Sequence, residues 1–298
     1  MKKHVIATLF AVDTLKSDLF IVHNDVEPLL RLLALYALAH AIPCLHVPHA
    51  VYCDTVSRGQ AGTDIHDLVT ASYVAVAGPY QAEWYESRRL QQRMPTQVIP
   101  TGLPQFDRLT TPLMERRRAC QLLRLDQARP VVMYFSSWRQ DTNLLGCHDG
   151  VEEAYAAFLA AAKTLPDVQF VIKTHPRGNN LQQHMQEADK AGVRAVVTDN
   201  HLDIILCAAD LVLTYESSNV ILDAACIPGI RLAAVSGFAQ DEAVETLPPQ
   251  GAAIAEAIQA LLSAPPRDVS LFRHKYLGVV DGKAKDRVAA LAAELCKR

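Results

Sequence analysis

Short apolar runs alternate with longer segments of helical periodicity along almost the whole chain. An apolar run bounded by polar or turn residues reads as a strand buried on both faces, and apolar residues recurring every three to four positions read as a helix. Strands are predicted in the first part at His4–Leu9, Asp18–Val22, Cys44–Val47, Tyr73–Ala77 and Gln97–Ile99, with helices over Glu27–Ala41 and Tyr80–Gln92. Pro28 suits the first turn of the former helix. Thr101-Gly-Leu-Pro-Gln-Phe-Asp107 interrupts the alternation, a charged helix is predicted over Pro112–Leu125, and Asp126–Pro130 reads as a hinge. The pattern restarts with a strand at Val131–Phe135. It continues through helix Val151–Thr164, strand Gln169–Lys173, helix Leu181–Ala191, strand Ala195–Val197, helix Leu202–Cys207 and strand Leu211–Leu213. A helix over Val220–Cys226, a strand at Gly229–Leu232 and helices over Ala252–Leu262 and Lys283–Leu295 complete it.

Such alternation predicts an α/β fold of parallel sheets covered by helices. Residues 1–110 read as a first α/β domain, 111–130 as a linker helix and hinge, and 131–298 as a second α/β domain. Two such domains facing a cleft would line it with the C-terminal ends of both sets of strands, where ligands of open α/β sheets bind.

The segment Asp210–Ala224 carries the most chemistry. Its strand is followed by Thr214 and Tyr215, and Ser217-Ser218-Asn219 supply capping side chains for the next helix. A turn of this kind aims backbone N–H groups and the positive end of a helix dipole at the sheet edge, which suits a phosphate. Glu216 and Asp223 are two helical turns apart, so a helix beginning near Glu216 would put both carboxylates on one face, where they could accept from ribose hydroxyls. An ordinary capped helix packed on a sheet has the same pattern.

Other polar residues also fall just past predicted strand ends: His49, Arg139, and the pair His175 and Arg177. Each has a plain structural alternative: a loop histidine bonded to main chain, a surface ion pair of little worth, a strand terminator before Pro176. Taken together, Arg139, His175 and the Ser217-Ser218 helix start make an anion site, with His49 of the first domain as the base that takes a proton from an acceptor hydroxyl.

Composition narrows the reading. The net charge of −3 leaves no basic excess for nucleic-acid binding. Seven scattered cysteines without a Cys-x-x-Cys pair fit reduced cytosolic thiols. Asp13 interrupts the N-terminal apolar run, against a signal peptide, and the apolar helix Leu29–Ile42 is too short to span a bilayer. The expectation is a cytoplasmic protein, with peripheral contact to the inner membrane left open. No Gly-x-Gly-x-x-Gly, Walker loop or Gly-x-Ser-x-Gly is present, and His46 and His49 straddle Pro48, a poor metal face. Neither a cofactor nor a metal is expected.

In order along the chain, the histidine loop, Thr101–Asp107, Ser137-Trp-Arg139, Lys173-Thr-His-Pro176, Asp210–Asp223 and the tail Tyr276–Arg287 resemble the CDP-glycerol glycerophosphotransferase and capsule-polysaccharide transferase families. The resemblance implies a GT-B-like fold of two Rossmann-type domains, the first shortened here by one or two β-α units. It implies His49 as base, His175 on the donor phosphates, Ser217 and Ser218 on the donor pyrophosphate, and Arg139 as the arginine of the Trp-Arg pair. Ala50 stands where the family usually has glycine, and Tyr215-Glu216 where it has Asp-Tyr. The implied function is transfer of a glycosyl or glycerophosphate group from a nucleotide-activated donor to a polysaccharide or lipid-linked acceptor of the cell envelope, without a metal. Two rivals remain at this level: a UDP-N-acetylglucosamine 2-epimerase-like enzyme, and a degenerate, non-catalytic nucleotide-binding protein.

Overall fold

The computed structural model describes residues 16–23, 28–51, 69–136, 150–175, 181–215, 218–235 and 241–297. The expected strand His4–Leu9 lies outside them. The chain forms two compact units, one comprising residues 1–53, 61–107 and 274–298, the other residues 54–60 and 108–273.

Among the described residues the first unit holds four parallel strands in sequential order: β1 (Phe20–Val22), β2 (Cys44–His46), β3 (Tyr73–Val76) and β4 (Gln97–Pro100). Side chains alternate across the sheet, and each face has its own cover. Cys44 and Val22 pack with Ala34 and Ala37 of α1 (Pro28–Ala39), while Val74 and Val76 pack with Trp84 and Tyr85 of α2 (Pro79–Gln92). Leu45 and Ala75 point the other way, onto Leu295 and its neighbours in α10 (Ala284–Leu295), the last helix of the chain.

That return is where the structure departs from the sequence-based bounds, which ran the second domain to residue 298. The Ala284 and Lys285 N–H groups donate to the Asp107 carboxylate at 2.9 and 2.8 Å, capping α10 from a distant part of the chain. Arg287 donates from Nε to the Thr101 carbonyl oxygen at 2.6 Å. A Cβ at Gly78 would lie 2.6 Å from the main chain at Gly278, so the two backbones cross too closely for a side chain. Two of the segments that carry the family resemblance, Thr101–Asp107 and the Tyr276–Arg287 tail, thus hold each other.

Among the described residues the second unit holds a six-stranded parallel sheet in the order β10-β9-β8-β5-β6-β7. Its strands are β5 (Val131–Phe135), β6 (Gln169–Lys173), β7 (Ala195–Thr198), β8 (Leu211–Tyr215), β9 (Arg231–Val235) and β10 (Glu245–Leu247). The chain enters at β5, winds outward through β6 and β7, then returns to lay β8 on the other side of β5, with Val132 opposite Leu211 and Phe135 opposite Thr214. The order reverses between β5 and β8, the topological switch point of a doubly wound sheet. All five residues of β5 and of β8 are buried, which is why both read as continuous apolar runs. On one face Tyr134, Phe170, Leu213 and Val235 pack with Phe158 of α4 (Val151–Thr164) and Ile254 and Ile258 of α8 (Gly251–Ser263).

Several elements differ from expectation. The charged helix is shorter, α3 (Arg116–Leu122), because Arg124 takes a left-handed φ of 56° just beyond it. Pro104–Leu109 forms a 3₁₀ segment. Strand β9 starts two residues late because Gly229, with φ 85°, is still turning. β10 and the helix α9 (Ser270–Leu277), which crosses from one unit to the other at Arg273 and His274, were not predicted.

Candidate functional site

At the C-terminal edge of the second sheet the pairing continues past the strands. The Ser136 N–H donates to the Lys173 carbonyl oxygen at 3.0 Å, and the Thr174 N–H to that of Thr198 at 3.0 Å. The Ser136 hydroxyl in turn accepts the His175 N–H at 3.1 Å. These bonds tie the stretch after β6 to the stretch after β5 and fix the main chain at His175, which is half-buried. Lys173, at the end of β6, donates to the Thr174 carbonyl at 2.7 Å, and burial pulls its ammonium below the usual lysine range against the opposing pull of Asp199.

Across the switch point, Ser218 follows β8 and adopts extended backbone, φ −82° and ψ 137°. Its hydroxyl accepts the Val220 N–H at 3.4 Å, capping α7 (Asn219–Ala225), which packs against β8 and β9. His175 and Ser218 therefore sit past the ends of β6 and β8, on either side of β5. Tyr215, the last residue of β8, is buried with its hydroxyl against Gly150, the N-cap of α4: a Cβ there would come within 2.8 Å of it.

The helix starts at Asn219 rather than near Glu216, so the condition for Glu216 and Asp223 to share one helical face is not met. Asp223 lies inside α7, nearly buried. Arg108 reaches it at 4.0 Å while its Nε holds Asp203 of α6 (Leu202–Leu206) at 2.9 Å. Burial pushes the Asp223 carboxyl up to about 7; Arg108 opposes that shift and Asp203 adds to it. Cys226 follows the helix, and burial together with Asp223 pushes its thiol up to about 12 against Arg273. Arg139, Arg177, Glu216 and Ser217 lie outside the described residues.

His49 belongs to the first unit, exposed beyond β2. Its N–H donates to the His23 carbonyl oxygen at 3.3 Å, and its Nδ1 lies 3.2 Å from the same oxygen. The His23 and His49 rings meet edge to face, centroids 5.8 Å apart. Sequence reasoning missed three residues here: Ser136, Arg108 and His23. Ser136 and His23 each follow a strand directly, the same signal that singled out His49. Nothing local marks Arg108, whose partners lie far along the chain. Among the described residues no group of three His, Cys, Asp or Glu side chains is placed to hold a metal ion, and no helix is long and apolar enough to cross a membrane.

Two parallel α/β sheets, one doubly wound, define a GT-B-like protein of Rossmann-type halves, and solved structures agree. A Listeria monocytogenes protein assigned as a UDP-N-acetylglucosamine 2-epimerase is similar with a TM-score of 0.63 at 12% identity, over 100% of this chain and 80% of its own. The S. aureus MnaA–UDP co-structure gives 0.64 at 14% identity, over 100% and 80%. The wall teichoic acid polymerase TagF gives 0.53 at 15% identity, over 86% and 68%. At these identities the likeness is one of fold. No curated protein matches by sequence. The sequence profile of the CDP-Glycerol:Poly(glycerophosphate) glycerophosphotransferase family matches residues 36–225, more than half of the chain, and the protein belongs to that family.

Proposed function

We propose that the protein transfers a glycerophosphate or glycosyl group from a nucleotide-activated donor to a polymer or lipid-linked acceptor of the cell envelope, with CDP-glycerol as the first donor to test. One observation carries the reading: in a chain of this family, the switch point between β5 and β8 is bordered by His175 and Ser218, held by the Ser136 bond and the α7 cap. Ligands of doubly wound sheets bind in that crevice. His175, Ser217, Ser218, Arg139 and Arg177 contact the donor phosphates, and Glu216 and Asp223 belong to the same donor-binding region.

With CDP-glycerol the acceptor hydroxyl oxygen attacks the phosphorus that bears glycerol. A P–O bond forms there, the bridging P–O bond breaks, and CMP leaves with the electron pair. His49 takes the acceptor proton and passes it to water. Hydrogen-bond donors and cations around the phosphates stabilise the departing charge, so no metal is required.

Support comes from family membership and from the fold shared with TagF and with a UDP-bound protein. The test is a thermal-shift series with CDP-glycerol, UDP-glucose and UDP-N-acetylglucosamine, followed by nucleotide release with and without a poly(glycerophosphate) acceptor. A ligand at about a hundred times its Kd stabilises by roughly 2.7 kcal/mol. CMP release that requires the acceptor supports the transferase. Conversion of UDP-N-acetylglucosamine into its C2 epimer without any acceptor would replace it with the epimerase-like reading.

A further inference from the structure

The orientation of His49 is set by the strand beside its own. β1 and β2 pair in parallel, Val22 opposite His46, and the pairing continues beyond both strands. The Val47 N–H donates to the Val22 carbonyl at 2.8 Å and the His49 N–H to the His23 carbonyl at 3.3 Å. The His23 oxygen also receives the His49 ring, at 3.2 Å from Nδ1. A carbonyl oxygen only accepts, so this contact forms with the proton on Nδ1. A neutral imidazole then keeps its lone pair on Nε2, the nitrogen able to take a proton. The His23 ring, its plane at 71° to that of His49 and its centroid 5.8 Å away, packs edge to face on the imidazole.

We infer that His23 is the positioning residue of the base: its main-chain carbonyl fixes His49 in the Nδ1–H tautomer, its ring fixes the rotamer, and the acceptor proton is taken at Nε2. The inference rests on the proposed role of His49 as base. The step balances: the acceptor O–H bond breaks, its electron pair stays on the attacking oxygen, and an N–H bond forms at Nε2. The resulting imidazolium keeps its Nδ1–H on the His23 carbonyl until water removes the new proton. A main-chain acceptor suits this task because it cannot titrate.

The tautomer is read without substrate. In the full-length protein labelled with ¹⁵N, two-bond proton–nitrogen correlation spectra of neutral His49 are expected to show the proton on Nδ1; a proton on Nε2 overturns the inference. Kinetics read the ring. His23→Ala keeps the carbonyl but removes the ring, and is expected to lower kcat for CMP release from CDP-glycerol, with poly(glycerophosphate) as acceptor, by about tenfold. The KM for CDP-glycerol should stay within about twofold, because the ring packs on His49 and the proposed donor residues belong to the second unit. His23→Phe, which restores a flat ring, is expected to recover most of kcat. Wild-type kcat in His23→Ala removes the positioning role of the ring. If His49→Ala turns over normally, it is the base reading that fails, while the tautomer spectrum still decides what His23 does to His49.

Discussion

Asp223 carries a carboxyl whose charge is opposed by its surroundings. Burial raises it to about 7 from an ordinary 3.8, more than Arg108 at 4.0 Å can offset. The folded state therefore holds a proton that the unfolded state has released. This contribution to stability is full below about pH 4 and is lost as pH rises through 7. Asp223→Asn, which cannot ionise, should flatten that fall and stabilise the protein at pH 8. A tenfold difference in proton affinity between the folded and unfolded states corresponds to about 1.4 kcal/mol, so urea midpoints at pH 5 and pH 8 resolve it. A wild-type pH dependence in the variant would mean that Asp223 is not the group responsible. Glycines give a second contrast at this scale. Gly229 and Gly278 both have positive φ, 85° and 66°, but a Cβ at Gly229 meets nothing within 4 Å, whereas at Gly278 it meets the Ala77 carbonyl oxygen at 2.6 Å. Gly229→Ala should cost about 1–2 kcal/mol for the left-handed backbone alone. Gly278→Ala should cost clearly more, since two main chains would also have to part; equal losses would show that the crossing gives way easily.

Elements here are completed by residues far from them in sequence. α10 has no capping side chain at its own start; Asp107 supplies it across the first unit. Asp107→Ala should cost about 0.5–2 kcal/mol, with hydrogen exchange accelerated first in α10. A uniform loss of protection would instead indicate that the segment before Asp107 had collapsed too. The stretch after β6 depends likewise on Ser136 from the stretch after β5. One neutral hydrogen bond is worth about 0.5–1.5 kcal/mol. On the proposed role of His175 at the donor phosphates, Ser136→Ala should weaken CDP-glycerol binding by about threefold to tenfold in calorimetry; unchanged affinity would show that the His175 main chain holds its place without this bond.

At the scale of the whole molecule, the last helix belongs to the unit that the chain builds first. Leu295, with Val288 and Leu291, covers the face of the first sheet that presents Leu45 and Ala75. Removing residues 274–298 would bare that face, while among the described residues the cluster that α4 and α8 form on the second sheet includes none of them. Hydrogen exchange on the truncated protein should show amides of β2 and β3 exchanging freely and those of β5 and β8 still protected. Protection kept in both sheets would show that the first unit stands without its terminal helix.

Strands buried on both faces and helices with a clear apolar stripe were legible from the chain alone: Val131–Phe135, Val151–Thr164, Gln169–Lys173 and Leu181–Ala191 form over the predicted residues. Burial in one local layer dictates composition strongly enough to leave that signature. The places of His49, His175 and Ser218 past strand ends were legible for the same reason, since a strand must stop where its covering helices stop. β10 was not legible: Glu245–Leu247 is short, and it is a strand because Ala233–Val235 offers it main-chain partners. The sheet order, the switch point, the grip of Arg108 on Asp203 and the His23 carbonyl beside His49 were equally out of reach. Each depends on which distant segments become neighbours, and that is decided by packing and hydrogen bonding between them, interactions that leave no periodic trace in the amino-acid order.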